Sequence, residues 1–275
     1  MEVRHHTNPS QLRGFDTAQL RENYLVEDLF RTGEVRTVLT HADRVVLGGA
    51  APVPGQPLTL PNPDQLRSTS FLERREMAVV VVSGSGSVVV DGDKHELGHR
   101  DCLYIGRGAV DVQFHAGDSE THFYLFSATS HASYPTAVAR FEEVDVAQLG
   151  EQSTANVREL RKYVHADGIK SSQIVVGVTK LADGSVWNTM PPHTHDRRTE
   201  CYLYFDLPEN DRIVHLCGEP QETRNIIVAN EQAVVSPSWS IHSGAGTHSY
   251  AFVWAMAGEN QAFTDMDQVA VTELR

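Results

Sequence analysis

The chain has 275 residues and a hydrophobic share of 40%, enough for two ordinary domains with real cores. Its formal charge of −13, with no Lys/Arg-rich run to offset it, argues against nucleic acid and anionic membrane surfaces and leaves small molecules or proteins as partners. The start, MEVRHHTNPS, has no apolar leader core, and no stretch reaches the ~20 apolar residues that span a bilayer, so a soluble, cytoplasmic protein is expected.

In chain order, the first predicted element is a helix starting after Asp16, an N-cap with Gln19 at the capping-box position, and running through Leu20, Tyr24 and Leu25. Short runs rich in Val, Ile, Tyr and Phe come next, from VRTVLT and DRVVLGG through MAVVVVSG, GSVVVDG, DVQFHAG and HFYLFSA. Clusters of Gly, Pro, Asn and Asp separate them, which is a strand pattern. The glycines of SGSGS at 83–87 lack the spacing of a phosphate loop and read as a hairpin turn between two Val-rich strands. No GxSxG elbow supports a serine hydrolase. A second helical patch is expected from about Thr154 to Val164, after the polar GEQSTAN, and a domain boundary near residue 150 divides the chain into 1–150 and 151–275. Strands then resume with QIVVGVT, CYLYFDL, RIVHLCG, NIIVANE, AVVSPS and YAFVWAMAG, so the fold class is all-β. Cys102, Cys201 and Cys217 each sit in an apolar strand context and read as buried, reduced thiols.

The halves echo each other. SFLERREMAVVVV resembles THDRRTECYLYF, with Glu76 falling where Glu200 falls, which points to a duplication. The first copy has Ser70, Phe71 and Leu72 where the second has two histidines, and Asp111 where the second has His242. The first half is therefore expected to have lost a metal site that the second keeps, serving as scaffold, oligomer contact or cavity wall.

That site is read from WNTMPPHTHDRRTE. His193 and His195 stand two apart, so an extended strand points both imidazoles to one face, and Glu200 opens the next strand after a charged turn. His242, in PSWSIHSG, comes after a turn begun by Pro237 that hands it back toward the same interior. In a chain with 14 histidines an HxH pair alone carries little weight; with Glu200 and His242 it becomes a ligand set. Three imidazoles and a carboxylate suit a divalent ion with room for water or substrate, and Zn, Fe, Mn, Ni and Co are all admissible.

HxH, a glutamate soon after it and a later Pro-turn-His on many short strands look like the two motifs of the cupin superfamily, with Trp239 where a glycine is usual. NTMPPHTHDRRTECYLYF, EPQETRNIIVANEQAVVSPSWSIHSG, FLERRE, GHRDCLYIG and FTDMDQVAV together resemble the 5-keto-4-deoxyuronate isomerase family, across nearly the whole chain. The resemblance implies a bicupin of two antiparallel β-sandwich, jelly-roll barrels, usually a hexamer. It implies one Zn2+ per subunit in the C-terminal domain, with the family's ligands falling on His193, His195, Glu200 and His242. The implied activity is a cytoplasmic ketol-isomerase of pectin and uronate breakdown, converting 5-dehydro-4-deoxy-D-glucuronate to 3-deoxy-D-glycero-2,5-hexodiulosonate.

Such a reaction needs a base within ~3 Å of the reacting carbons, and Glu200, Glu222 and Glu231 are the candidates. For the carboxylate of a small sugar-acid substrate, Arg197, Arg198 and Arg224 lie near in sequence, though a solvated turn explains Arg197 and Arg198 equally well. Tyr202 and Tyr204 share strand parity with Glu200 and would line the cavity with hydroxyls, or serve as core aromatics. Rival readings are isomerisation of another uronate, an Fe(II) cupin oxygenase and a non-catalytic sugar-acid sensor.

Overall fold

The computed structural model describes residues 1–275. A seven-stranded sheet runs in the order Glu2–Arg4, Val35–Thr40, Val46–Ala50, His122–Thr129, Arg75–Ser83, Cys102–Ile105, Ala137–Ala139. A four-stranded sheet, Leu58–Thr59, Val112–Ala116, Gly86–Val90, Asp93–Leu97, accompanies it. Strands of the later part of the chain, joined at one edge by Leu25–Val26 from near its start, repeat both orders. The seven run Val146–Leu149, Arg158–Val164, Val175–Leu181, Ala251–Gly258, Arg198–Phe205, Ala233–Ser236, Leu25–Val26, and the four run Trp187–Asn188, Ser243–Gly246, Ile213–Glu219, Glu222–Val228. This is the expected all-β bicupin, and matching strand orders are what a duplication leaves behind.

The chain forms two compact units. The first comprises Met1–Arg4, Asp28–Val144 and Lys162–Val176, the second His5–Glu27, Asp145–Arg161 and Gly177–Arg275. A single cut near residue 150 differs from this division, because Val146–Leu149 pairs antiparallel with Arg158–Arg161 and so belongs to the second unit. The segment His5–Glu27 joins the second unit as well, and its strand Leu25–Val26 pairs with Ala233–Val234.

The helix Thr17–Tyr24 forms as expected: the Asp16 carboxylate accepts from the Gln19 N–H, and the Asp16 N–H donates to the Gln19 side chain. The patch expected as a second helix does not. Residues 152–154 make one 3₁₀ turn, and Arg158–Val164 is a strand. The apolar residues of RELRKYV, Leu160, Tyr163 and Val164, have helical spacing, and pairing with Val146–Leu149 on one side overrides it for the extended form. The SGSGS turn is also corrected. It does not close a hairpin, because Arg75–Ser83 and Gly86–Val90 lie in different sheets, and Gly84, at φ +70°, turns the corner between them.

Alternation along Arg75–Ser83 puts Met77, Val79 and Val81 into the first unit's apolar core, with Val88, Leu103, Phe114, Phe123 and Leu125. The corresponding strand of the second unit turns Glu200, Tyr202 and Tyr204 the same way, opposite Met256, Trp254 and Phe252. Met77 is thus the positional partner of Glu200, and the expected equivalence of Glu76 is off by one residue. That slip reverses the face. Glu76 points to the other side of the sheet, fully buried, where its carboxylate accepts from the Tyr104 hydroxyl at 2.7 Å and from the N–H groups of Ser172, Gln173 and Ile174 at 2.7, 2.6 and 2.9 Å.

Candidate metal centre

Three local structures bring the four side chains together. His193 lies on a two-residue strand paired with Asp267–Gln268. His195 opens a tight turn in which the Arg198 N–H donates to the His195 carbonyl, and two residues later Glu200 faces inward from the strand Arg198–Phe205. His242 comes after the turn closed by the Ser240 N–H donating to the Pro237 carbonyl, just before the strand Ser243–Gly246. Their donor atoms all lie within 4.8 Å of one another.

The close edges are His193 Nε2 to His195 Nε2 at 3.1 Å, His193 Nε2 to His242 Nε2 at 3.0 Å, and Glu200 Oε2 to the Nε2 atoms of His195 and His242 at 2.8 Å each. Donors about 2.1 Å from a common ion and near right angles apart would stand about 3.0 Å from each other. The rings are also oriented for this. His195 Nδ1 meets the Asp265 carbonyl at 2.9 Å and His242 Nδ1 meets the Ser240 carbonyl at 3.3 Å. A carbonyl only accepts, so in the metal-ligating form each of these rings would carry its proton on Nδ1 and offer Nε2 to an ion. In that form the Nε2 atoms converge with the Glu200 carboxylate on one point, the arrangement a cation would require. The donor set fits a divalent metal.

All four residues are buried, Glu200 to 4% exposure and His242 to 1%. Burial, reinforced by His242, pushes His193 down to about 2, so that ring is neutral. Burial opposes ionisation of Glu200, yet the flanking His242 and His195 outweigh it and hold the carboxyl well below its usual range.

His193, His195 and Glu200 open onto a cavity of about 290 Å³ whose far walls are largely apolar, including Trp254, Met256, Phe263 and Met266. The Trp254 indole lies against the backbone at Gly177, where any Cβ would come within 2.2 Å of the ring, and its N–H donates to Thr179 Oγ1 at 3.1 Å. Tyr202 also lines the cavity, its hydroxyl 2.8 Å from that of Thr189. Tyr204, despite the same parity, lies deeper, away from the cavity, with its hydroxyl 2.8 Å from Nδ1 of the buried His215.

None of the three expected arginines lines this cavity. Arg197 turns outward onto Asp265 and Asp267, at 2.7 and 2.9 Å. Arg198, 1% exposed, donates to the carbonyls of Ala262 and Asp265 and so braces the same carbonyl that orients His195. Arg224 pairs with Glu222 at 2.8 Å and donates to the Arg13 carbonyl. Neither Glu222 nor Glu231, a turn residue at φ +59°, belongs to the His193–His195–Glu200–His242 cluster or lines the cavity. The cationic side chain that does reach the cavity is Arg158. Its strand reads as helix, so neither spacing nor parity pointed to it. The three cysteines are buried and lie outside any disulfide, and burial pushes the Cys217 thiol up to about 12.

Comparison with known proteins agrees with this geometry. The model of the KduI/IolB family matches residues 24–273. The 4-deoxy-L-threo-5-hexosulose-uronate ketol-isomerase of Kineococcus radiotolerans is 58% identical over the whole of both chains, and that of Bacillus pumilus 50%. Among solved structures, an IolB-like protein from Salmonella typhimurium aligns with TM-score 0.74 at 17% identity, covering 90% of this chain and 97% of that one. Oxalate decarboxylase from Bacillus subtilis aligns with TM-score 0.61 at 12% identity, covering 90% and 78%, a likeness of fold alone. With the match running through both sets of sheets and the whole ligand cluster, the chain belongs to the KduI/IolB family.

Proposed function

We propose that this protein is a metal-dependent ketol-isomerase that converts 5-dehydro-4-deoxy-D-glucuronate, which is 4-deoxy-L-threo-5-hexosulose-uronate, to 3-deoxy-D-glycero-2,5-hexodiulosonate. The observation that carries the reading is the convergence of His193, His195, Glu200 and His242 at the wall of a cavity, in a chain whose full-length relatives bear that activity in their names. His193, His195, Glu200 and His242 would hold a divalent ion, which when bound would supply Lewis-acid chemistry that lowers the cost of removing a proton from carbon beside a carbonyl. Zinc is the ion proposed, on the family resemblance; the donor types alone accept several metals. A cytoplasmic homo-oligomer, hexameric as in the family, is proposed on the same ground.

The chain's own residues prepare the site. The carbonyls of Asp265 and Ser240 hold the Nδ1 edges of His195 and His242, so their Nε2 atoms already point at the place an ion would take. Trp254, Met256, Phe263 and Met266 keep water off the reacting carbons. Burial and the Glu200 charge push the Tyr202 phenol well above its usual range, so it stays a hydroxyl able to donate to a substrate oxygen. Glu200, held ionised between two histidines, makes a weak base, and Glu222 and Glu231 do not line the cavity.

The test is turnover followed by NMR with the 4-deoxy-5-ketouronate, on protein as prepared, chelated and zinc-restored, and on His242→Ala. Diketo product is expected from the metal-loaded protein, with a loss of about a thousandfold on chelation or in the variant. Equal rates from fully stripped protein would contradict the proposal, and oxygen uptake in place of isomerisation would replace it with oxygenase chemistry.

A further inference from the structure

Arg158 is set apart among the arginines of its unit by lining the cavity with no carboxylate partner; Arg198 and Arg212, also without one, each donate to two backbone carbonyls, and Arg275 is exposed. Arg13, Arg21, Arg161, Arg197 and Arg224 each hold a carboxylate, at 2.7 to 2.9 Å. Arg158 holds none: its one hydrogen bond is from Nη1 to the Asn156 carbonyl, at 2.8 Å. Strand alternation explains the split. Glu159 and Arg161 face one side of the strand and pair with each other, while Arg158 and Leu160 face the other and line the cavity.

A half-buried guanidinium beside apolar walls loses hydration without recovering it from an ion pair, and burial lowers its pKa accordingly. The neighbouring strands offer no anion to offset it, and Glu200, the one carboxylate lining the cavity, is held by His195 and His242. The remaining donors of its planar fork match a carboxylate held two-pronged. A charge kept in this condition within the cavity that the metal ligands line is a receptor for an anionic group of the ligand.

Building on the ketol-isomerase reading, we infer that Arg158 anchors the carboxylate of the sugar acid, placing its carbonyl end toward His193, His195 and Glu200. Arg158 is then the specificity determinant for uronates over neutral sugars. It also gives a chain of charge −13 a local attraction for an anionic substrate.

Two readouts test this on the zinc-loaded protein, with Arg158→Gln and Arg158→Lys. In turnover of the 4-deoxy-5-ketouronate, R158Q is expected to raise KM about a hundredfold or more with kcat within tenfold of wild type, at unchanged zinc content and circular dichroism. R158K, which keeps the charge but not the fork, is expected to fall between, at about a tenfold rise. A KM within threefold of wild type in R158Q overturns the inference; should R158Q not fold, a wild-type KM in R158K does so. The second readout needs no turnover: calorimetric binding of D-glucuronate against D-glucose. Wild type is expected to prefer the acid at least tenfold and R158Q to lose that preference. A wild type indifferent to the carboxylate, or an R158Q that still prefers it, overturns the inference. A preference that depends on Arg158 in a protein that fails to isomerise the ketouronate removes the proposed reaction and leaves the anchor standing.

Discussion

Proton placement on buried histidines decides both chemistry and pH response. His215 is fully buried, and burial, with His242 nearby, pushes it down to about 3. In the unfolded chain the same ring titrates near ~6.5, so between these values the unfolded state binds a proton that the folded state refuses. Its contribution to stability is therefore present above ~6.5 and is lost as the pH falls toward 3, at about 1.4 kcal/mol per pH unit. His215→Gln does not titrate, so wild type is expected to lose about 2 kcal/mol more than this variant between pH 7.5 and 5, by urea unfolding. Parallel curves would refute the assignment. At this scale the clustering of His193, His195, Glu200 and His242 was legible because HxH spacing, strand parity and a turn signal are local. Arg197, Arg198 and Arg224 were not, because each guanidinium is engaged by groups far along the chain, such as the Ala262 and Asp265 carbonyls for Arg198.

Single elements show where local pattern stops short. Arg158–Val164 has helical apolar spacing yet is held extended by its pairing partner, which hid Arg158 from a reading of the sequence. Glu76 illustrates the strictness of register: one residue moves it from the interior position that Met77 holds to the opposite face. There it fastens the segment 172–174 by accepting three successive N–H groups. Glu76→Ala would leave those donors and the Tyr104 hydroxyl buried without partners, so a loss of about 3 kcal/mol or more is expected. The urea midpoint measures it, and a change under ~1 kcal/mol would show that the segment does not depend on this carboxylate.

Across the whole molecule, one strand order appears twice and carries two kinds of interior. Met77, Val79 and Val81 make one an apolar core, while Glu200, Tyr202 and Tyr204 make the other polar and open to a cavity. The all-β class was plain from the spacing of short apolar runs, and the duplication from the likeness of SFLERREMAVVVV to THDRRTECYLYF, though with a register one residue off. The exchange of His5–Glu27 and Lys162–Val176 between units was not, because it depends on contacts distant in sequence. The account rests on one ion gathered by four side chains of the second unit. Anomalous diffraction at the zinc edge from crystals of the zinc-loaded chain tests it most directly. One peak per chain is expected, at about 2.1 Å from Nε2 of His193, His195 and His242 and from the Glu200 carboxylate. A zinc-loaded crystal with no peak among those four residues would contradict it.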